Sequence, residues 1–454
     1  MDRKRRRVTA SVLAYALSAC TLGALVGSIS GCDVEYGALP ATCSTGECPE
    51  GYECINAVCA LPGTSVPITV VELGNQRGSD LKLVPIGKDV LVAWESYPYA
   101  PNGQAILGKR VTAKGKLSET IVLEDSWSAD AGAVEPFFDL HVIDEDAVLV
   151  AMASSPVNPN DERPRTRVFR ADMRGGSEPV WGSEAHMGSI GYGNVSHPRF
   201  RATEAKLELG YFEARVIDKE TVGRLAVFQL TPSGELSEAL EDCDLAEENC
   251  CPAHQCRTSE RTGSVASSTA DALFSADGTA WVIDETRPSC MRVGDDPDGL
   301  DSVEIALSTL AVPLRVDGPD LLFLQPSERT GEKLAEDPVA GPASLWRQPL
   351  AAGSSAVKVG ELPVIRDNPR IAWVDRSDNM GLLVTPGADL SAPTLKVYSV
   401  DELTAGSTLI AEIERRSSLT IAGIRAVVVE QNLFVAWLDV ADDRAVIRMS
   451  VLPL

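Results

Sequence analysis

Two stretches of the chain have the residue types and spacing for metal chemistry. Cys251-x2-His254-x-Cys256 sets two thiols and an imidazole within a short stretch, inside a wider cluster with Cys243, Cys250 and, further on, Cys290. Thiolate and imidazole together are a zinc-type donor set. Asp296, Asp298 and Asp301 share a short Gly-bearing loop, as the carboxylates of calcium loops do. Each stretch has a plainer reading. In an exported chain the thiols pair as disulfides and staple a surface insertion near 242–263. The aspartates fall where neighbouring segments carry ordinary turns. No metal and no cofactor is therefore expected. The histidines offer little more. His141 sits between Leu140 and Val142 in an alternating segment and reads as structural, while His186 and His197 flank the glycine-rich residues 188–193. Neither Gly-x-Ser-x-Gly nor His-Glu-x-x-His occurs, so serine and zinc hydrolase chemistry has no support. Paired-carboxylate glycoside chemistry stays open, because its two acids can lie anywhere in a sequence.

Two further segments imitate ligand motifs. Residues 103–109, Gly-Gln-Ala-Ile-Leu-Gly-Lys, resemble a phosphate-binding loop, but Arg110 stands where Ser or Thr would hold magnesium. The segment also leads into a strand, so it lacks the helix terminus that cradles phosphate. Residues 275–281, Ser-Ala-Asp-Gly-Thr-Ala-Trp, resemble the Asp box of sialidases, yet Asp277 and Gly278 are adjacent where that family separates them by one residue. A single imperfect copy implies a hairpin and nothing about sugar cleavage.

The first residues bear on the compartment. Arg3, Lys4, Arg5, Arg6 and Arg7 precede residues 8–31, which carry no charge, and polar sequence follows Cys32. A basic segment followed by an apolar one is an export signal. Ile29-Ser30-Gly31-Cys32 resembles a bacterial lipobox, which implies a lipidated Cys32 and removal of residues 1–31. Leu17-Ser18-Ala19-Cys20 fits the same loose pattern, and an uncleaved anchor is a further alternative. Cys43, Cys48, Cys54 and Cys59 form a tight cluster that resembles the short EGF-like modules found behind such signals. The resemblance implies two disulfides and a rigid spacer over 32–65, with the pairing open. The chain carries a net charge of −24, which excludes nucleic acid as a natural partner.

The elements that must position any site come from a repeat in hydrophobicity. Seven short apolar runs, at 90–94, 148–152, 207–212, 279–283, 321–324, 381–385 and 433–437, recur about every 57 residues. Continuous apolar runs of this length suit strands covered on both faces. Each has a strand-like segment before and after it, and a fourth strand follows a Gly-bearing turn, as at Lys114-Gly115-Lys116-Leu117 and Ser233-Gly234-Glu235-Leu236. Only six fourth strands follow the seven sets, and residues 67–73 supply the seventh. The pattern resembles a seven-bladed β-propeller of four-stranded antiparallel blades over 66–454, closed by an N-terminal strand. No WD40 or kelch signature recurs.

These readings predict an all-β, lipid-anchored envelope protein facing the periplasm or exterior, with a non-catalytic binding or scaffold role toward an envelope protein or glycan. The alternative is a propeller hydrolase or lyase acting on glycans, which a compact cluster of buried carboxylates, His and Arg at the central channel would favour. The long loops share one face, and Tyr97, Tyr99, Trp127 and Tyr192 lie on it as candidate binding residues.

Overall fold

The computed structural model describes residues 48, 53–55, 58–60, 66–74, 81–99, 103–125, 137–153, 166–181, 198–202, 207–217, 220–231, 256–262, 270–274, 280–284, 290–293, 312–317, 320–326, 342–349, 354–364, 371–376, 379–386, 394–415, 417, 419–441 and 444–454. Among them no helix is long and apolar enough to cross a membrane. The chain divides into two compact units, Met1–Pro62 and Gly63–Leu454. In the first, β1 (Glu53–Ile55) and β2 (Val58–Ala60) form a hairpin with Cys54 opposite Cys59 in register, and Cys48 is disulfide-bonded.

The second unit is all-β and antiparallel. Its first strand, β3 (Ile68–Gly74), belongs to the last sheet. Sheet 1 comprises β4 (Leu81–Ile86), β5 (Asp89–Tyr99), β6 (Gly103–Val111) and β7 (Ile121–Glu124). Sheet 2 comprises β8 (Phe137–Val142), β9 (Ala147–Ala153), β10 (Thr166–Asp172) and β11 (Ser177–Trp181). Sheet 3 comprises β12 (Arg199–Ala202), β13 (Leu207–Ile217), β14 (Glu220–Leu230) and β15 (Cys256–Thr262). The described part of sheet 4 has three strands, β16 (Ala270–Phe274), β17 (Ala280–Asp284) and β18 (Cys290–Val293). Sheet 5 is β19 (Val312–Asp317), β20 (Asp320–Pro326), β21 (Pro342–Pro349) and β22 (Val357–Val364). Sheet 6 is β23 (Ala372–Asp375), β24 (Met380–Thr385), β25 (Thr394–Asp401) and β26 (Ser407–Glu414). In sheet 7, β27 (Thr420–Val429), β28 (Asn432–Ala441) and β29 (Arg444–Pro453) are followed by β3 as the outer strand.

The continuous apolar runs lie on the second strand of each sheet because that strand feeds two cores. Along β5, Val90, Val92 and Trp94 pack with sheet 7 side chains such as Phe434 and Met449, whereas Leu91 and Ala93 pack with Phe138 and Val150 of sheet 2. Along β28, Phe434, Ala436 and Leu438 join the core shared with sheet 1, and Leu433, Val435 and Trp437 the core shared with sheet 6. Pleating sends alternate residues to opposite faces, so a strand covered on both sides must be apolar throughout. Sheets 5 and 6 share a third core, with Leu322, Leu345 and Leu383 in it.

Successive sheets also meet through their first strands: β4 packs against β8, β8 against β12, β12 against β16, β16 against β19, β23 against β27, and β27 against β4. Tight turns link first to second strands. Gly87 holds φ +59°, a left-handed conformation that suits glycine, and a Cβ there would stand 2.8 Å from the Glu145 carboxylate of the neighbouring turn.

Two expectations about strands are corrected. Tyr97 and Tyr99, expected on a long loop, lie on a strand: β5 continues to Tyr99, which pairs with Gly103, so only residues 100–102 connect the two strands. The fourth strand of sheet 3 is not the segment after Ser233-Gly234 but β15, inside the stretch expected to be an insertion. Its sequence, Cys-Arg-Thr-Ser-Glu-Arg-Thr, has no apolar run. It is an outer strand carried by backbone pairing to β14, which composition does not reveal.

Candidate active site on the first strands

Short first strands leave polar side chains beside the inter-sheet cores. On β8, Phe138 and Leu140 enter the core shared with sheet 1, so Asp139 and His141 share the opposite side. On β4, Lys82 is the polar residue between Leu81 and Leu83. On β12, Arg199, Phe200 and Arg201 are all half-buried.

Three neighbouring first strands converge on Asp139. Its Oδ2 accepts the backbone N–H of Phe200 at 2.7 Å, and the Lys82 ammonium lies 4.0 Å from its Oδ1. The His141 ring meets the Phe200 ring at 5.9 Å in a tilted arrangement. Next along, Arg201 donates to Glu208 at 2.6 Å, a pair formed by residues directly opposite in the β12–β13 register. The Asp139 side chain is 16% exposed and that of Lys82 8%. An oriented carboxylate that still reaches solvent, beside an imidazole and an ammonium, is suited to moving a proton and to holding a charged or hydroxyl-rich ligand.

Burial pushes the His141 pKa below its ordinary value of 6.5, with the Asp139 carboxylate pulling the other way. The ring is therefore neutral at neutral pH and can accept a proton. The same shift has a stability consequence. The unfolded chain binds this proton first as pH falls, so stabilisation present above about pH 6.5 is lost as pH drops through the lower folded value. A His141→Gln variant should lose that part of the acid-side slope, read from urea unfolding at about pH 7.5 and pH 5.5; an unchanged slope would refute the assignment.

Other charged groups pair elsewhere. Arg315 of β19 pairs with Glu402 and with Asp375 at 3.4 Å, at the far end of the first strands. Between sheets 6 and 7, Arg415 and Asp439 are both fully buried and 2.6 Å apart. The Asp439 carboxylate also takes the Trp437 indole N–H at 3.1 Å, and Arg448 stands 3.3 Å from it.

Of the residues singled out from sequence, Tyr97 and Tyr99 lie on the end of β5, Cys256 opens β15 and Cys290 opens β18. Cys32, Cys43, Cys243, Cys250, Cys251, Trp127, Tyr192, His186, His197, His254, Asp296, Asp298 and Asp301 lie outside the described residues. Among the described residues, no group of three or more His, Cys, Asp or Glu side chains is placed to hold a metal ion. Lys82, Asp139 and Arg201 were not singled out. The available signal was polar residues interrupting short strands, at positions where the opposite pleat is apolar.

No protein-family model matches the chain, and a sequence comparison finds no match among curated proteins. Solved structures do match. A polysaccharide lyase, Uly1, superposes with a TM-score of 0.50 at 11% identity, over 90% of this chain and 94% of that one. An α-L-arabinofuranosidase of Fusarium graminearum superposes at 0.41 and 12% identity, over 85% and 98%. A Trypanosoma rangeli sialidase superposes at 0.38 and 8% identity, over 86% of this chain and 57% of that one. The likeness to the lyase is one of fold, and it spans nearly the whole of both chains. It corrects the expectation of a non-catalytic binding or scaffold protein, because the matched chain is an enzyme. That expectation leaned on missing motifs, whereas acids contributed by separate strands leave no motif to find.

Proposed function

We propose that the chain is a glycan-cleaving enzyme, a lyase or hydrolase, working at the polar set around Asp139. The observation that carries this reading is the meeting of Lys82, Asp139, His141 and Phe200 across three adjacent first strands. The near-full-length likeness to a polysaccharide lyase supports it. In this reading residues 66–454 are a seven-bladed propeller closed by β3, and the first strands line its centre. Asp139 and His141 share the proton transfers, with Lys82 as the cation for a substrate carboxylate or hydroxyl. The expected test is cleavage of polygalacturonate and arabinan, read as new reducing ends. Elimination would also leave a double bond conjugated to a carboxylate, with its ultraviolet absorbance. Asp139→Asn should lower the rate roughly 10²–10⁴-fold. Undiminished activity in that variant, or no cleavage of either polymer, would sink the proposal.

The same reading makes the chain an exported lipoprotein. Cys32 carries the lipid, residues 32–65 form a disulfide-stapled spacer, and the enzyme faces the periplasm or exterior. Cys32→Ser should lose a clickable palmitate label; a label that persists there and vanishes in Cys20→Ser moves the anchor to Cys20.

A further inference from the structure

An outer strand offers its unpaired backbone groups to any other strand, and folded proteins guard such edges with brevity, proline or basic side chains. Most outer strands of this unit carry one of these guards. β7 has only four residues. β11 has five and includes Pro179. β15 carries Arg257 and Arg261, and β22 carries Lys358 and Pro363. On β3 the Val70 carbonyl is taken by Lys109 of the next sheet, at 2.8 Å. Among the described outer strands β26 stands apart. Its eight residues, Ser-Thr-Leu-Ile-Ala-Glu-Ile-Glu, include no proline and no basic residue. Lys396 of the neighbouring β25 reaches the Glu412 carboxylate at 3.9 Å.

The same edge is where apolar surface is left in water. Five large apolar side chains are exposed among the described residues, and three of them, Leu403, Leu409 and Ile410, lie in the turn before β26 or on it. Leu409 and Ile410 are each 44% exposed. The pairing with β25 slips at this point: Tyr398 faces Leu409 and Val397 faces Ala411, which leaves Ile410 unpaired. A regular pleat would send two consecutive side chains to opposite faces, whereas this bulge leaves both in solvent. A fourth, Val357, opens β22. Gly360 of that strand stands so close to the turn before β26 that a Cβ on it would lie 2.7 Å from the Ala405 Cβ. Single exposed aliphatic residues are ordinary, but four on or beside one edge mark a contact surface.

We infer that β26 is a self-association edge, at which two copies of the chain pair antiparallel about a two-fold axis and join their copies of sheet 6. The inference is independent of the glycan-cleaving reading. A two-fold interface sets a surface against itself, so the surface must tolerate its own charges. β26 does. With the axis between Leu409 and Ile410, Leu409 of one copy faces Ile410 of the other, Glu412 faces Ser407, and Glu414 falls level with Ala405. No carboxylate meets a carboxylate, and Glu412 already has Lys396 beside it. The aliphatic side chains of both copies lose water at the centre while the acids stay at the ends, an apolar core with a polar rim. A bilayer suits this edge less, because anionic lipid would meet Glu412, Glu414 and a chain of net charge −24. The same net charge makes the copies repel, so the pairing is weak and strengthens with salt.

Photo-cross-linking of the full chain in cells reads the contact directly. Benzoylphenylalanine in place of Glu412 should give a product containing two copies, and the same probe in place of Lys88, on an exposed turn of sheet 1, should not. Sedimentation of the purified full chain should show monomer and dimer in exchange at micromolar concentration, as suits an interface below about 1,200 Å². The dimer fraction should be larger at about 300 mM salt than at about 50 mM. Thr408→Lys, at an exposed position, and the double variant Leu409→Lys/Ile410→Lys set like charges across the axis. Each should lower the cross-link yield and raise the dissociation constant about tenfold or more. Absence of the two-copy product overturns the proposal, as does a monomer at every concentration up to about 100 µM. A dimer that both variants leave unchanged overturns it too, because the contact then lies elsewhere. A cross-link from position 412 to lipid or to another protein, without the two-copy product, gives the edge to that occupant instead. Melting curves identify a variant that fails to fold, and the cross-link in the otherwise unaltered chain then decides.

Discussion

A chain lacking residues 66–74 is expected to aggregate or to melt far below the intact protein. β3 completes sheet 7 by pairing with β29, from Ala445↔Gly74 to Met449↔Ile68. It buries Ile68, Val70 and Leu73 in the core shared by sheets 7 and 1. At about 1.5–3 kcal/mol for each fully buried aliphatic side chain, those three approach the whole stability of an ordinary domain, about 5–15 kcal/mol. The strand is also held by side chains from both sheets: Lys109 donates to the Val70 carbonyl at 2.8 Å, and Arg448 to the Thr69 hydroxyl at 3.2 Å. Its removal leaves β29 as a long edge with unpaired backbone groups, a template for association. Size-exclusion chromatography and a melting curve check this. A monomer with unchanged melting would mean that β3 contributes nothing to closing the unit.

Asp439→Asn is the second large effect expected. The side chains of Arg415 and Asp439 are fully buried, and Arg448 is mostly so. Removing the Asp439 carboxylate takes a buried counterion from Arg415, whose bond to the Leu419 carbonyl remains. Breaking one side of a buried pair costs about 3–5 kcal/mol. The exposed pair Arg444–Glu72, at 3.1 Å, is the internal control, since Glu72→Gln should cost about 1 kcal/mol or less. Urea unfolding of the two variants against the intact protein gives both numbers. Equal, small losses would show that the interior pair is offset by its own desolvation.

The second strands were legible because each is covered on both faces, and pleating then forces an unbroken apolar run such as Val90-Leu91-Val92-Ala93-Trp94. Residues 67–73 were legible as a strand by alternation. β15 was not, because an outer strand needs only its backbone to pair. That β13 runs on past β12 was hidden for a related reason: Glu213-Ala214-Arg215-Val216-Ile217 continues the strand pattern with no turn residue to mark where β12 stops alongside it. Register between strands is set by pairing, and a single sequence does not print it. The Asp139 site was invisible for the strongest reason. Its parts sit on three strands from three sheets, Asp139 and Phe200 being 61 residues apart, and each alone is an unremarkable polar residue in a short strand.

The pairing of β3 with β29 has a consequence for how the protein is made. Glu72 and Arg444, which meet across those two strands, are 372 residues apart in sequence. At a synthesis rate of about 5–20 residues per second, β3 waits roughly 20–70 s for its partner to emerge. During that interval Ile68, Val70 and Leu73 have only the sheet 1 half of their core, since the sheet 7 side chains that cover them do not yet exist. A nascent chain interrupted anywhere before β29 keeps this sticky segment on display, a handle for chaperones and proteases. Completion hides it. The fold thereby reports that β29 has been made, and copies without it remain distinguishable from those in which it is in place.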